Sequence, residues 1–427
     1  MTGSGTASDV TSAVTSDAAP DTALASRTAV DGSARAGAAA VRRPVIAMAI
    51  GDPAAISPEL AVRALASEEA RHATLLVLGD ARVLRGAAEA LDMPLDATLG
   101  LPIVEAREVG TTRPDRSMMV DLGNCDPATI ETGTASEASG ASALANFRAA
   151  LLACRHGFAD ATFFTPFNKA AMRMAEDDYV DEIGFVNRTI GATRPGSEFN
   201  VLDEVWNARV TSHIPLSEVA GALNADRIFD ALRLTVEVME GAGHRRPRIG
   251  VAALNPHAGD GRNFGTEDED IILPAVERGK RMQLAVEGPI PSDTVFVRAM
   301  KGEFDAVLTM FHDQGQIAMK LIGFDRGVTL IAGYPFPICT PAHGTAYDIA
   351  GEGRANPGAT LKALELATSL ARPASDAPAI DRPFAAVVGA ALAGRSALRG
   401  DASTHAATGT TTGAAADTTF EPMRVSR

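Results

Sequence analysis

Short apolar runs alternate with segments of helical periodicity from about residue 43 to about residue 370. The apolar runs predict strands, which are Val45–Ile50, Leu75–Leu78, Met118–Leu122, Ala161–Thr165, Ile249–Leu254, Ala306–Phe311 and Val328–Ala332. The periodic segments predict helices, which are Pro58–Ala66, Ala81–Leu91, Ala141–His156, Ala225–Met239, Thr266–Met282 and Thr360–Leu370. This alternation predicts βαβ units and a largely parallel sheet covered by helices.

The first predicted strand leads into the segment GDPAAISPE, which has the signals of a helix start. Ser57 can be the N-cap, Pro58 the first helical residue, and Glu59 an acidic residue in the positive first turn. No G-x-G-x-x-G follows a predicted strand, and no G-x-x-x-x-G-K-[ST] occurs. Rossmann and Walker phosphate loops are therefore excluded, and any dinucleotide has to be held by another architecture.

The two ends of the chain differ in composition from its centre. Residues 1–40 are mostly Ala, Ser, Thr, Gly and Asp and contain no aromatic residue. Such a segment cannot bury enough surface to offset its ordering entropy, so we expect disorder over residues 1–42 and over most of 373–427. Residues 1–40 also lack the apolar core of a secretory signal, and the longest apolar runs are too short to cross a bilayer.

Charge and cysteine content narrow the class of protein further. Lys and Arg number 39 against 53 Asp and Glu, a formal net charge of −14, which disfavours general nucleic-acid binding. The three cysteines, Cys125, Cys154 and Cys339, form no C-x-x-C and exclude a disulfide scaffold. The composition predicts a soluble α/β protein of the reducing cytoplasm with no membrane partner.

Candidate chemistry lies near the ends of predicted strands. His312 and Asp313 end an apolar run and precede Gln314-Gly315, where an α/β fold places ligands. The pair can bind a metal or move protons, or it can be a strand end satisfied by backbone groups. His257, in NPHAGDGRNFG, lies in a loop that can cradle an anion or cofactor, or that is only a tight turn.

Three further residues are ambiguous when each is considered alone. His213 lies in TSHIPL and His343 in HGTA, and each is a ligand candidate or a capped loop residue. Asp293 follows two prolines in GPIPSDTVF, where an N-cap is the default explanation.

Taken together, the ordered motifs are more specific than any one of them. LNPHAGDG, GPIPSDTVF, DAVLTMFHDQG, K-x-x-GFDRGV and HGTAYDIAGEGRANPG follow one another, with GDPAAISPEL and TSHIPL upstream. In this order they resemble the 4-hydroxythreonine-4-phosphate dehydrogenase family of vitamin B6 (pyridoxine) biosynthesis. The resemblance covers nearly all of Arg43–Leu370.

The resemblance implies a fold, an assembly and a set of cofactors. The fold is a two-domain α/β/α sandwich similar to isocitrate and isopropylmalate dehydrogenases, with residues 43–135 plus 325–372 in one domain and 136–324 in the other. The family is homodimeric, with the active site at the interface and, in our interpretation, metal-binding imidazoles from separate protomers. The cofactors are NAD or NADP and one divalent metal per site, which is zinc, magnesium, manganese or cobalt.

The same resemblance assigns roles to individual residues. The metal ligands match His213 and His312, and Glu182 falls at the position of the family's third histidine. A carboxylate can replace it, or Glu182 is a solvated loop residue and Asp181 or water completes the site. The catalytic or substrate-contacting positions match Asp293, Asp313 and Lys320, and the cofactor-binding candidates are His257, Gly259, His343, Gly344 and Thr345.

The positions that contact substrate depart from the family pattern. The candidates are Asn168, Lys169, Lys320 and Thr329, but the family motif V-H-K reads F-N-K here, and Thr329 stands where the family has asparagine. The family's arginine falls at or next to Ile338, whose apolar side chain cannot grip an anion.

We therefore expect an NAD(P)- and metal-dependent dehydrogenase that oxidises a secondary alcohol of a hydroxy acid, with decarboxylation to follow. One alternative is an unphosphorylated substrate such as the cis-dihydrodiol of an aromatic dicarboxylate, which has a precedent in the wider family. The other is a noncatalytic ligand-binding relative that has kept the fold.

Overall fold

The structure is a computed structural model that describes residues 42–323, 325–371 and 378–394. Within these ranges the strands are β1 Val45–Ala49, β2 Thr74–Gly79, β3 Ile103–Glu105, β4 Met118–Asp121, β5 Ala161–Phe164, β6 Ser197–Val201, β7 Trp206–Arg209, β8 Ile249–Ala252, β9 Val286–Ile290, β10 Ala306–Thr309, β11 Val328–Ala332 and β12 Ile338–Pro341. The helices are α1 Ser57–Leu65, α2 Ala81–Ala90, α3 Ala106–Val109, α4 Glu137–Arg155, α5 Lys169–Ala175, α6 Glu182–Ile190, α7 Leu216–Ala222, α8 Ala225–Gly241, α9 Leu273–Arg281, α10 Ser292–Met300, α11 His312–Gly323, α12 Gly358–Leu370 and α13 Phe384–Ala393.

The strands form one sheet in the order β3-β4-β2-β1-β5-β12-β11-β6-β7-β10-β8-β9. Two blocks of this sheet are parallel throughout. The first block is β3-β4-β2-β1-β5-β12, and the second is β7-β10-β8-β9. Three antiparallel pairings, β12–β11, β11–β6 and β6–β7, join the two blocks, which therefore run in opposite directions. The α/β class with a mostly parallel sheet is confirmed. The sheet crosses the boundary between the two predicted domains, and that division stays a prediction.

Each predicted strand and helix is present, but several boundaries moved. The predicted strand Ala306–Phe311 ends at Thr309, and His312 begins α11 instead of closing the strand. The predicted helix Thr266–Met282 is a π-helical turn over Asp268–Ile272 followed by α9. The strands that we did not predict are short or carry polar residues, such as SEFNV in β6 and WNAR in β7.

The predicted N-cap of the first helix is wrong by one residue. Ile56 occupies the cap position without a side-chain hydrogen bond, and Ser57 is the first residue of α1. The Ser57 hydroxyl instead donates to the Pro166 carbonyl, 2.7 Å away, in the segment after β5. The Ser57 hydroxyl, which we expected to cap the helix, is therefore used in a contact between segments that are distant in sequence. Glu59 does lie in the first turn, as predicted.

Apolar packing differs on the two faces of the sheet. One face carries a single cluster that runs from β1 and β2 to β8 and β9 under α1, α2, α8, α9 and α12. The other face carries two clusters, one beneath α4, α6 and α13 and one beneath α10 and α11. In β6 and β7, Phe199 and Ala208 point to the first face. Because successive side chains of a strand alternate between faces, Glu198, Asn200, Asn207 and Arg209 point to the second face, between its two clusters. We call these four residues the polar strip.

The remaining expectations about the chain concern its ends and its cysteines. In the predicted tail, Phe384–Ala393 forms α13, and the Phe384 ring packs at 4.8 Å against Phe158. The disorder expected for residues 1–41, 373–377 and 395–427 lies outside the described residues. All three cysteines are free and buried, which agrees with the exclusion of a disulfide scaffold. Among the described helices, none is long and apolar enough to cross a membrane.

Candidate functional site

Two histidines predicted as metal ligands meet at one edge of the sheet. His213 follows β7 and His312 begins α11 after β10, and these two strands are parallel neighbours. Since neighbouring parallel strands end at the same edge, the two imidazoles come together, with ring centroids 5.6 Å apart. Both belong to one chain; the expectation that separate protomers supply the metal-binding imidazoles concerns the assembled dimer and stays a prediction.

Each imidazole has its Nδ1 against a carboxylate. His213 Nδ1 lies 3.2 Å from Asp181 Oδ2, and His312 Nδ1 lies 2.7 Å from Asp313 Oδ1. A neutral histidine that donates through Nδ1 keeps its lone pair on Nε2, and metal-binding histidines are commonly oriented in this way. The donor set of two imidazole nitrogens therefore fits a divalent cation. The bond between His213 and Asp181 raises the pKa of the imidazole and lowers that of the carboxyl.

Asp181 is held from two sides. It is the N-cap of α6, where its Oδ1 accepts the Gly184 amide at 2.7 Å, while Oδ2 faces His213. His213 itself has a φ of +52°, a left-handed conformation that is uncommon outside glycine and typical of functional loops. The carboxylate thereby ties the start of α6 to the end of β7 across the sheet face.

Glu182, the predicted third ligand, pairs with a different predicted residue. Its Oε2 lies 2.9 Å from the Nζ of Lys169, which we expected to contact substrate. Over the ranges that the structure describes, no group of three or more His, Cys, Asp or Glu side chains is arranged to hold a metal. A role for Glu182 in metal binding stays a prediction, and it requires the carboxylate to leave Lys169.

The starts of α10 and α11 are joined by Gln314, a residue that we did not predict. Its Oε1 accepts the Met310 amide at 2.6 Å, and its Nε2 donates to the Ala253 carbonyl at 2.7 Å and to Ser292 Oγ at 2.8 Å. These bonds connect the ends of β8 and β10 with the first turn of α10, where Asp293 is exposed. Gln314 is part of the H-D-Q-G motif, so the sequence marked its position. Its role could not be predicted, because Ala253 and Ser292, two of its partners, are distant in sequence.

Two predicted substrate residues lie away from the histidine pair within one chain. Lys320 is exposed on α11, eight residues beyond His312, so about 12 Å of helix separate them. Thr329 pairs with Asn200, and Asn200 pairs with Asn207 on β7. Asn207 lies six residues before His213. Residues 208–211 between them run alongside β10 in extended form and span about 13 Å, which keeps Asn207, and with it Thr329, away from the histidine.

Asn168 has a structural role at the start of α5. Its Oδ1 accepts the amides of Ala170 and Ala171 at 2.9 and 3.0 Å, the bonds of an N-cap. The side-chain oxygen is therefore committed to the helix, which leaves only its NH₂ group for a substrate.

The predicted cofactor residues occupy two separate places. His257 and Gly259 follow β8, whereas His343, Gly344 and Thr345 follow β12, which lies five strand spacings, about 24 Å, from β8 and runs in the opposite direction, so the two groups follow opposite edges of the sheet. His343 Nδ1 lies 3.0 Å from the Gly344 carbonyl, and its Nε2 is buried without a hydrogen-bond partner. An orphaned buried nitrogen beside an exposed glycine fits a ligand that accepts or donates a hydrogen bond, as a dinucleotide does.

The segment around His343 is locked to the loop after β1. The Thr345 carbonyl accepts the Ile56 amide at 3.3 Å, and the Tyr347 hydroxyl donates to Asp52 Oδ2 at 2.5 Å. Asp52 is fully buried, and burial raises the pKa of its carboxyl despite these hydrogen bonds. Asp52 and Tyr347 were not among the predicted site residues, although both lie in the motifs GDPAAIS and HGTAYD.

Comparisons with known proteins agree on one family. A family model described as Pyridoxal phosphate biosynthetic protein PdxA matches residues 71–367. A relative from Rhizobium meliloti, named as a candidate 4-hydroxythreonine-4-phosphate dehydrogenase 2, is 53% identical over 332 residues, which are 78% of this chain and 94% of that protein. The D-threonate 4-phosphate dehydrogenase of Pectobacterium atrosepticum is 32% identical over 327 residues, which are 77% of this chain and 99% of that protein.

The solved structures agree with the sequence relatives. The crystal structure of 4-hydroxythreonine-4-phosphate dehydrogenase from Klebsiella pneumoniae has a TM-score of 0.64 and 31% identity, and covers 78% of this chain and 99% of that one. The family resemblance inferred from the ordered motifs is thus confirmed over most of the described residues. This chain belongs to the PdxA family of pyridoxal phosphate biosynthetic proteins.

Proposed function

We propose that this protein is an NAD(P)- and divalent-metal-dependent dehydrogenase that oxidises a secondary alcohol of a phosphorylated hydroxy acid, followed by loss of CO₂. The observation that carries the proposal is the pair of imidazoles, 5.6 Å apart, each with Nδ1 against a carboxylate. The names of the relatives, which are dehydrogenases of phosphorylated acids, support the reaction and the substrate class.

His213 and His312 would hold the cation through Nε2, with Glu182, Asp181 or water completing its coordination. When bound, the metal supplies a Lewis acid for the oxygens of the substrate. Asp181 and Asp313 keep the imidazoles in the required tautomer and orientation. Gln314 fixes the backbone before His312 relative to the start of α10, which presents Asp293.

The remaining roles concern the proton, the hydride and the dinucleotide. Asp313 has a side chain that is 75% exposed, so its carboxylate is accessible to take the proton of the substrate hydroxyl directly. NAD or NADP, when bound, would supply the nicotinamide that accepts the hydride. We assign the dinucleotide to His343, Gly344 and Thr345, because His343 offers an unpaired buried nitrogen.

A homodimer is part of the proposal, because an apolar surface lies on the outer side of α10 and α11. Val297 is 52% exposed, Met300 45%, Ile317 62% and Leu321 83%. The helices carrying these side chains cover a small apolar cluster, so a second copy would bury an otherwise exposed patch. Lys320 adjoins Leu321, so a symmetric contact through this patch would bring the lysine toward the site of the other subunit.

The test is formation of reduced cofactor by purified protein with NAD and with NADP. The substrates are 4-phosphohydroxythreonine, D-threonate 4-phosphate and an unphosphorylated cis-dihydrodiol of an aromatic dicarboxylate, before and after chelation and with each of the four metals. We expect turnover of a phosphorylated acid that chelation removes and metal restores. His312→Ala should abolish turnover and metal binding, whereas His72→Ala, at an exposed position, should change neither.

Other outcomes discriminate between the alternatives. Turnover of the dihydrodiol alone would replace the phosphorylated substrate with the unphosphorylated one. Absence of both bound metal and turnover with every substrate would indicate a noncatalytic ligand-binding relative.

A further inference from the structure

We propose that Arg209 binds the anionic group of the substrate, a phosphate or a carboxylate, in place of the family arginine that is missing at Ile338. The inference rests on the proposed function for the substrate class but not for the binding itself. It concerns a residue that the sequence motifs did not single out, on a strand that we did not predict.

Arg209 is a buried cation with unused hydrogen-bond donors. Its side chain is 1% exposed, and its Nη2 donates to Asn200 Oδ1 and lies 3.5 Å from Glu198 Oε1. Its Nε and Nη1 are buried and have no hydrogen-bond partner. Buried polar groups in folded proteins are almost always satisfied, so two orphan donors on one guanidinium indicate that an acceptor is missing.

The position of Arg209 in the sheet relates it to the lost arginine. Ile338 pairs with Ile331, and Ile331 pairs with Glu198. The β6–β7 register ends at Phe199 and Ala208; one residue further along each strand are Glu198 and Arg209, whose side chains lie 3.5 Å apart. Directly paired residues project to the same face of a sheet, so Arg209 lies in the cross-strand row of Ile338 and on the same face.

Thr329, which we predicted to contact the substrate, lies near the same row of residues. It pairs directly with Asn200, the residue that holds Nη2 of Arg209. Arg209 therefore shares its cross-strand row with position 338, three strands away, and contacts Asn200, the direct partner of position 329; at both positions this chain lacks the polar groups of the family. An arginine on β7 can restore the positive charge that Ile338 removed from β12.

The surroundings favour a polar ligand. Arg209 belongs to the polar strip, which separates the apolar clusters beneath α4 and α6 from those beneath α10 and α11. Helix α11 approaches the strip at Gly315, where an added Cβ would lie 2.1 Å from Asn207 Oδ1. Asn200 and Glu198 orient the guanidinium, and an oxyanion is the acceptor that its two free donors suit best.

The experiment compares Arg209→Met and Arg209→Lys with the control Arg248→Met. Arg248 is also bound to a carboxylate, Asp305, but at a side chain that is 47% exposed. Affinity for inorganic phosphate and for succinate is measured by calorimetric titration without cofactor, and KM and kcat are measured with the phosphorylated acids. Unfolding temperature and circular dichroism establish that each variant folds.

We expect wild type and Arg248→Met to bind one of the two anions, and both Arg209 variants to lose at least about tenfold in affinity. KM should rise by a similar factor with a smaller change in kcat. Loss of phosphate binding assigns a phosphate to Arg209, and loss of succinate binding alone assigns a carboxylate.

A folded Arg209→Met protein with unchanged anion affinity and KM would overturn the inference and leave Arg209 as a structural arginine. Where Arg209→Met does not fold, Arg209→Lys decides, because it keeps the charge but not the guanidinium. Anion binding needs no turnover, so loss of binding in a protein that oxidises no substrate would support Arg209 and contradict the proposed function. Turnover of substrate with an unaffected KM in Arg209→Lys would support the proposed function and contradict the role of Arg209.

Discussion

At the scale of single residues, the site consists of side chains whose orientation is set by a partner. Asp181 satisfies the amide of Gly184 at a helix start and also faces His213. One carboxylate thus has both a structural and a functional contact. Substitutions that keep the first contact and change the second can separate the two roles.

Asp181→Asn makes this separation. Asparagine is as good an N-cap as aspartate, so stability should change by less than about 0.5 kcal/mol. The amide carries no charge to fix the His213 tautomer, so metal affinity should fall about 10- to 100-fold. Titration of the metal-free protein with Zn²⁺ measures this, with Asp92→Asn, an exposed position, as control. Equal affinities of the two variants would contradict the assigned role of Asp181.

His156 provides a test of pH dependence away from the site. Its ring is 7% exposed, and burial, together with Arg382, lowers its pKa although its Nδ1 lies 2.8 Å from Asp381. With the folded pKa below the ordinary 6.5, the unfolded chain takes up the proton first as the pH falls. The stability due to His156 is therefore complete above about pH 6.5 and is lost as the pH falls below it.

Urea unfolding of wild type and His156→Gln should show this difference. Between about pH 7.5 and about pH 5, wild type should lose more stability than the variant, which has no titrating group at position 156. A parallel decline in both proteins would mean that His156 is not the group responsible.

At the scale of elements, close approach between backbones decides which helices pack. A Cβ added to Gly140 on α4 would lie 1.9 Å from the Ala171 carbonyl oxygen of α5. Glycine therefore lets these two helices touch, and α5 in turn begins at Lys169, which pairs with Glu182. The contact between α4 and α5 supports one wall of the candidate site.

Gly140→Ala should destabilise the protein by about 2–3 kcal/mol, because backbone atoms must move to admit the methyl group. Gly86→Ala on α2 is the matched control, since an added Cβ there meets nothing within 4 Å. That variant should gain about 0.5–1 kcal/mol from lower unfolded-state entropy. Denaturant unfolding of both variants measures the difference, and similar values for the two would exclude the close contact as the cause.

At the scale of the whole molecule, the proposed homodimer rests on the exposed apolar surface of α10 and α11, which Lys320 adjoins. The exposed apolar side chains lie on the sheet face opposite to α9. If the dimer forms there, residues that are remote within one chain can share one site. Assembly would then be a condition for activity.

Leu321→Asp should dissociate the dimer, because a charge placed in an apolar interface is desolvated without a partner. Light scattering after size-exclusion chromatography gives the mass, and activity should fall with the dimer fraction. Met282→Asp, at a position 60% exposed near the end of α9, should remain a dimer with full activity. A dimeric Leu321→Asp protein would place the interface elsewhere.

How much the sequence alone determined differs between the fold and the site. The apolar runs were sufficient for seven of the described strands, β1, β2, β4, β5, β8, β10 and β11, because each is largely apolar. The pattern was insufficient for β6 and β7, whose polar alternate residues form the polar strip. The pattern records only where apolar residues stand, so a strand such as β7, whose buried positions include Asn207 and Arg209, lacks the signal by which it would be found.

The ordered motifs determined the family and the pair His213 and His312, because residue identity and order are properties of the chain itself. Only the tertiary structure decided that the two imidazoles of one chain come together, that Glu182 is paired with Lys169, and that Arg209 has two free donors. These are statements about hydrogen-bond partners, and partners are set by which strands become neighbours. Strand order in a sheet of this size depends on long-range pairing, which no local pattern encodes.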